Sequence, residues 1–186
     1  MSSSSRADSA LAPAVLAPVT LVLGGARSGK SRYAERLIEA AAACGTYCAT
    51  AEAGDAEMAA RIAAHRARRG PFWRTVEEKL ALAAAIGAEA RAERPLLVDC
   101  LTLWLANAML AGRPVEAETE TLCAALRLAA GPVVLVANEV GLGLVPETPL
   151  GREFRDAAGR LNQEVAAVAD RVVFVAAGLP LVLKKA

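Results

Sequence analysis

Between Val19 and Ser31 the chain reads VTLVLGGARSGKS, and no other stretch restricts its fold as strongly. Gly24, Gly25, Ala26, Arg27, Ser28, Gly29, Lys30 and Ser31 match the pattern G-x-x-x-x-G-K-[ST]. The apolar run Val19 to Leu23 precedes it, as a buried strand would. A segment of helical composition follows, with Tyr33, Leu37 and Ile38 along one side. In a strand–loop–helix setting the backbone N–H groups of such a loop converge on phosphate oxygens, and the helix N-terminus adds positive partial charge. Lys30 is then expected to neutralise the β- and γ-phosphates, and the Ser31 hydroxyl to ligate Mg²⁺. The alternative is a Gly-rich turn followed by a chance Lys-Ser.

The rest of the chain alternates strand and helix signals. Strands are expected at Thr46 to Ala49, Pro95 to Asp99, Val133 to Ala137, Val172 to Ala176 and Leu181 to Leu183. Helices are expected at Lys30 to Ala43, Asp55 to Arg69, Glu77 to Arg94, Leu101 to Leu110, Val115 to Ala129 and Leu150 to Ala169, with a Gly- and Pro-punctuated loop from Gly141 to Pro149. Short apolar runs without polar alternation suit strands covered on both faces. Interleaved with helices, they specify an α/β fold of the P-loop NTPase kind, with a mostly parallel sheet flanked by helices.

At 186 residues, 55% hydrophobic and 22% charged, the chain fits one domain with a real core, assigned here to residues 19–186. Met1 to Pro18, rich in Ser, Ala and Pro and without a basic n-region, reads as a flexible extension rather than a signal peptide. Lys+Arg total 21 against 20 Asp+Glu, so there is no basic signature for nucleic acid. No apolar run reaches the ~18 residues of a membrane span. Four cysteines without a C-x-x-C pair, and a single histidine, argue against a zinc site. Cys100 and Cys123 lie in apolar surroundings and read as core residues. Reduced thiols without a secretory signal point to the cytoplasm.

Asp99 closes the run Leu96-Leu97-Val98-Asp99, where an acid that holds Mg²⁺ is expected; it could equally cap the helix from Leu101. Signalling GTPases are excluded. Asp99 is followed by Cys100-Leu101-Thr102 rather than x-x-G, and Asn138 by Glu139-Val140-Gly141 rather than K-x-D. On the helix expected from Asp55, Arg61, His65 and Arg68/Arg69 recur at i, i+4 and i+7/i+8 and share a face. Guanidinium groups bind phosphate and disfavour a charged imidazole, which keeps the ring nucleophilic at neutral pH. Periodicity alone favours a solvated basic face over a catalytic one.

These blocks, in order, resemble the bifunctional adenosylcobinamide kinase / adenosylcobinamide-phosphate guanylyltransferase family of cobalamin biosynthesis. The resemblance rests on LVLGGARSGKSRYAE from Leu21, DAEMAARIAAHRARR from Asp55, WRTVEE from Trp73, LLVDCLTLWLAN from Leu96, the long block from Val136 to Val172, and GLPLVLK from Gly178. It implies phosphorylation of the aminopropanol hydroxyl of adenosylcobinamide with ATP or GTP. It further implies transfer of GMP from GTP to that phosphate through a guanylyl-histidine. The family's R-I-x-x-H falls on Arg61-Ile62-Ala63-Ala64-His65. Its nucleotide contacts fall on the phosphate loop, on Ala49, Thr50 and Ala51, on Arg66, Ala67, Arg68 and Arg69, and on Glu77 and Asp99. Glu77 could accept from a guanine's N1–H and 2-amino group, or simply supply charge at a helix N-terminus. Some relatives carry a second histidine beside the nucleophile, where this chain has Ala64 and Arg66. The resemblance also implies a homotrimer. Asn138, Glu139, Arg152, Arg155, Asp156 and Asn162 are further polar candidates for nucleotide or corrinoid contact.

Overall fold

The computed structural model describes residues 15–51 and 70–185. The extension through Ala14 and the helix expected at Asp55 to Arg69, with its histidine, lie outside the described residues. Seven strands form one sheet in the order β3-β2-β4-β5-β1-β6-β7. They are β1 (Val19–Gly24), β2 (Gly45–Ala49), β3 (Trp73–Glu77), β4 (Leu96–Asp99), β5 (Val133–Asn138), β6 (Arg171–Ala176) and β7 (Leu179–Lys184). Every pairing is parallel except the last, where β7 turns back on β6. Among the described residues the helices are α1 (Lys30–Glu39), α2 (Leu82–Glu89), α3 (Leu101–Leu110), α4 (Val115–Arg127) and α5 (Pro149–Val168).

Strand alternation divides the core in two. Leu21, Leu23, Val98, Val133, Leu135 and Val172 point to one face, where α2 to α5 supply Leu82, Trp104, Leu122, Leu161 and Val165. Val22, Leu97, Val134, Val136, Val173 and Val175 point to the other, under α1 and its buried Ala34, Leu37 and Ile38. All six residues of β1 are buried, as expected of a strand covered on both sides. Complete burial of one such Leu contributes about 1.5–3 kcal/mol. On α5 the Thr148 hydroxyl accepts from Gly151 N at 3.1 Å and Pro149 opens the first turn, so the start of the helix is written locally.

Two of the expected helices are shorter than the sequence suggests. The helix expected from Glu77 to Arg94 is instead the last residue of β3, a bend, and the shorter α2. Arg91 and Arg94 exchange backbone hydrogen bonds at 3.3 and 3.1 Å, and this local turn overrides the helical propensity of the segment. α1 stops at Glu39 rather than Ala43. After Leu16, which packs against the α1-side core, the Pro18 carbonyl accepts from Val133 N at 2.9 Å.

All four cysteines are free. Cys48, Cys100 and Cys123 are buried, and burial raises each thiol's pKa, that of Cys48 to about 12 with Glu78 and Glu89 adding to the effect. At pH 8 a group with that pKa is about one part in ten thousand thiolate. A disulfide reagent added to the native chain should therefore titrate Cys44 promptly and the three buried thiols only after denaturant is added.

Candidate active site

The phosphate loop leaves β1 through a backbone that only certain residues tolerate. A Cβ on Gly24 would lie 2.5 Å from the Val175 carbonyl oxygen and 2.6 Å from Ser28 Oγ. Gly29 has φ +96°, and a Cβ there would also meet Gly178 Cα at 3.2 Å. Ser28 N closes a turn on Gly25 O at 3.3 Å, and Tyr33 N donates to Gly29 O at 2.9 Å as α1 begins. Neighbouring strands brace the loop from both sides. Glu139 N donates to Gly24 O at 3.1 Å from β5, and Gly178 N donates to Ser28 O at 2.8 Å from the β6–β7 turn. Lys30 is buried, with Nζ 3.1 Å from Gly25 O, so its ammonium already lies over the loop. Ser28 Oγ is buried without a hydrogen-bond partner among the described residues, and such a group calls for an oxygen-rich ligand.

Asp99 meets this loop. Its Oδ1 accepts from Ser31 Oγ at 3.3 Å and its Oδ2 accepts from the Tyr47 hydroxyl. The N-cap position of α3 belongs to Cys100, which makes no side-chain cap, so Asp99 is not employed as the cap. The pair of a hydroxyl and a carboxylate at the head of a phosphate loop offers hard oxygens, a donor set suited to Mg²⁺ held jointly with phosphates and water. Among the described residues there is no group of three or more His, Cys, Asp and Glu side chains placed to hold a metal by themselves.

Ala49 registers with Asp99 on one side and Glu77 on the other, so the three strand ends lie in a row. Glu77 closes β3 and is exposed. The helix-terminal role weighed for it belongs to Glu78, whose Oε1 accepts from Leu80 N and Ala81 N at 2.8 Å just ahead of α2. Thr50 is buried, and its hydroxyl both accepts from Cys100 N and donates to Cys100 O at 2.8 Å. Asn107 Nδ2 donates to Thr50 O at 2.9 Å. The Thr50 side chain thus braces the end of β4, and Ala51 is the last residue described before 70. His65, Arg66, Ala67, Arg68 and Arg69 lie outside the described residues.

Of the polar C-terminal candidates, Asn162 is buried with Nδ2 3.3 Å from Asn138 O, tying α5 to the end of β5. Glu139 Oε1 accepts from Gly141 N at 2.7 Å. Arg152 donates to the carbonyls of Pro146 and Glu147, and Arg155 pairs with Asp156 at 3.2 Å on the surface. A cavity of about 460 Å³ between α5 and the β6–β7 hairpin is lined by Glu139, Asn162, Gln163 and Lys184 among others. Sequence reasoning missed Tyr47, Asn107 and Gly178, since each acts across the fold on residues far from it in the chain.

A family model described as "CobU: Cobinamide kinase / cobinamide phosphate guanyltransferase" matches residues 20–183. The bifunctional adenosylcobalamin biosynthesis protein CobP of Pseudomonas aeruginosa is 54% identical over 166 residues, spanning 88% of this chain and 96% of that protein. The bifunctional adenosylcobalamin biosynthesis protein CobU of Escherichia coli is 41% identical over 179 residues, spanning 88% and 98%. The chain belongs to this family. It is accordingly a bifunctional enzyme, a cobinamide kinase and a cobinamide phosphate guanyltransferase. Solved structures resemble it at the level of fold. The flagellar accessory protein FlaH of Methanocaldococcus jannaschii superposes with TM-score 0.52 at 12% identity, covering 92% of this chain and 80% of that one. The ATPase EscN of enteropathogenic E. coli gives 0.55 at 14%, covering 87% and 43%. The fold is that of the P-loop NTPases, and no helix of the described residues is long and apolar enough to cross a membrane.

The loop geometry separates two neighbouring glycines. In Gly24→Ala the added methyl meets a backbone oxygen, and overpacking of this kind costs about 1–3 kcal/mol. Nothing lies within 4 Å of a Cβ on Gly25. Urea denaturation should place Gly24→Ala well below the parent chain and Gly25→Ala within about 0.5 kcal/mol of it.

Proposed function

We propose that the chain phosphorylates the aminopropanol hydroxyl of adenosylcobinamide with ATP or GTP, then transfers GMP from GTP to that phosphate through His65. The observation that carries this reading is the meeting of the phosphate loop with the strand-end acid, Ser31 Oγ to Asp99 Oδ1 at 3.3 Å, in a chain of this family. The loop N–H groups and Lys30 bind the β- and γ-phosphates and balance their charge. Ser31 and Asp99 hold Mg²⁺, which when bound neutralises the phosphate oxygens. Phosphoryl transfer requires chiefly such positioning and charge stabilisation.

Guanylyl transfer adds a nucleophile. A neutral His65 nitrogen forms a bond to the α-phosphorus of GTP, and the bond to the bridging oxygen breaks, with pyrophosphate leaving with the electron pair. A phosphate oxygen of the corrinoid then bonds to the same phosphorus and the N–P bond breaks, restoring the imidazole and giving adenosylcobinamide-GDP. Arg66, Arg68 and Arg69 beside His65 favour the neutral ring and pair with phosphate. Ala49, Thr50, Ala51 and Ala67 contribute backbone to the nucleotide's surroundings, and Glu77, exposed at the end of β3, accepts from the guanine edge. The free thiols fit the cytoplasm as the compartment of this enzyme.

A homotrimer completes the proposal. β7 lies at the sheet edge with Leu179, Leu181, Val182 and Leu183 exposed, and Leu142, Leu144 and Val145 are exposed in the loop ahead of α5. These apolar side chains form an exposed surface that further copies of the chain would cover.

Incubation with Mg²⁺ and GTP labelled at the α-phosphate should leave base-stable, acid-labile label on the parent chain and none on His65→Ala, while that variant keeps much of its kinase activity. Equal loss of both activities would remove His65 from the covalent role. Light scattering after size exclusion should give three times the mass of the single chain, and a monomer would withdraw the assembly.

A further inference from the structure

Tyr47 is fully buried in β2 and carries its hydroxyl to Asp99, the carboxylate that accepts from Ser31 of the phosphate loop. Tyr47 registers with Leu97 on β4, so Asp99 is its diagonal neighbour two residues on and on the same face, within reach of an aromatic side chain. The ring is held on its other side. Trp73 meets it edge-on with centroids 5.8 Å apart at 88°, and Trp73 Nε1 donates to Glu39 Oε1 at 3.0 Å in the last turn of α1. The phenol is therefore fixed by the same helix whose first turn presents Ser31.

We propose that Tyr47 is a positioning residue for the metal-binding carboxylate. Its hydroxyl occupies Asp99 Oδ2, fixes the rotation of the carboxyl group and leaves Oδ1 turned toward Ser31. A carboxylate free to rotate would present either oxygen, or neither, at the loop. One hydrogen bond from the core thus selects the oxygen that meets the divalent cation. Removing orienting hydrogen bonds of this kind typically weakens metal binding by about 10–100-fold. The inference rests on the reading of Asp99 as a Mg²⁺ ligand given above.

The test measures Mn²⁺ binding by electron paramagnetic resonance to the full chain saturated with a non-hydrolysable GTP analogue, alongside binding of that analogue without metal. Tyr47→Phe keeps the ring and removes only the hydroxyl. It should weaken Mn²⁺ by about tenfold, leave metal-free nucleotide affinity unchanged, and retain a cooperative thermal transition. In the Asp99→Asn background the same substitution should have no further effect on Mn²⁺, because the hydroxyl acts only through the carboxylate. Unchanged Mn²⁺ affinity in Tyr47→Phe, with Asp99→Asn weakened, would overturn the positioning role and keep the metal reading. Unchanged affinity in Asp99→Asn would overturn the metal reading itself. Parallel loss of metal-bound and metal-free binding in Tyr47→Phe, or loss of folding, would reduce Tyr47 to a packing residue and overturn the proposal.

Discussion

Burial of β1 between β5 and β6 sets where the loop from Gly24 to Ser31 lies. A strand with all six residues inside the sheet has no edge of its own, so its C-terminal end is fixed from both sides by backbone pairing. The loop that follows inherits that rigidity. It is further held by Glu139 N on Gly24 O and by Gly178 N on Ser28 O, which come from the strands flanking β1. A loop that binds through oriented N–H groups performs well only when it does not have to be ordered by its ligand. The close approach of Val175 O to Gly24 shows how little room the frame leaves.

The acid at the end of β4 is reached by a different route. β4 is separated from β1 by β5, and Asp99 meets Ser31 across the sheet surface beneath α1. Thr50 and Asn107 hold the far side of this strand end, with hydrogen bonds to Cys100 and from Asn107 to the Thr50 carbonyl. The end of β4 is thus clamped by the buried bonds between Thr50 and Cys100, with Asn107 behind them. Low dielectric makes satisfied contacts of this kind stiff and unsatisfied ones expensive, which suits a site that must present one oxygen in one place.

What was legible in the sequence was what is local. The loop, the strand before it, the helix after it and the acid at the end of LLVD all announce themselves within a few residues. The central strands were legible because burial on both faces leaves continuous apolar runs. The edges were not. β3 carries Arg74 and Glu77 and pairs on one side only, so it lacks the continuous apolar run that marks the central strands. β7 was read short for the same reason, as half of its pairing potential faces away from the sheet. Tyr47 and Asp99 are 52 residues apart, and Ser31 and Asp99 are 68 apart. Position in a motif hinted at the second contact and nothing local hinted at the first. The resemblance implies a nucleotide contact at Thr50, and the bonds of its hydroxyl to the Cys100 backbone, formed 50 residues away, are not legible from that.

The pairing of β1 with late segments also dictates an order of assembly. A chain emerging from the ribosome presents its phosphate loop early, yet the strands that flank β1 begin only at Val133 and Arg171, and the turn that bonds Ser28 arrives at Gly178. Until then the apolar run from Val19 to Leu23 has neither neighbour, and its loop has no floor. Contacts of such long sequence separation are slow to form and leave sticky surface exposed meanwhile. Ordering of the loop therefore waits for segments as far along the chain as Gly178, and β1 must stay out of trouble until they arrive.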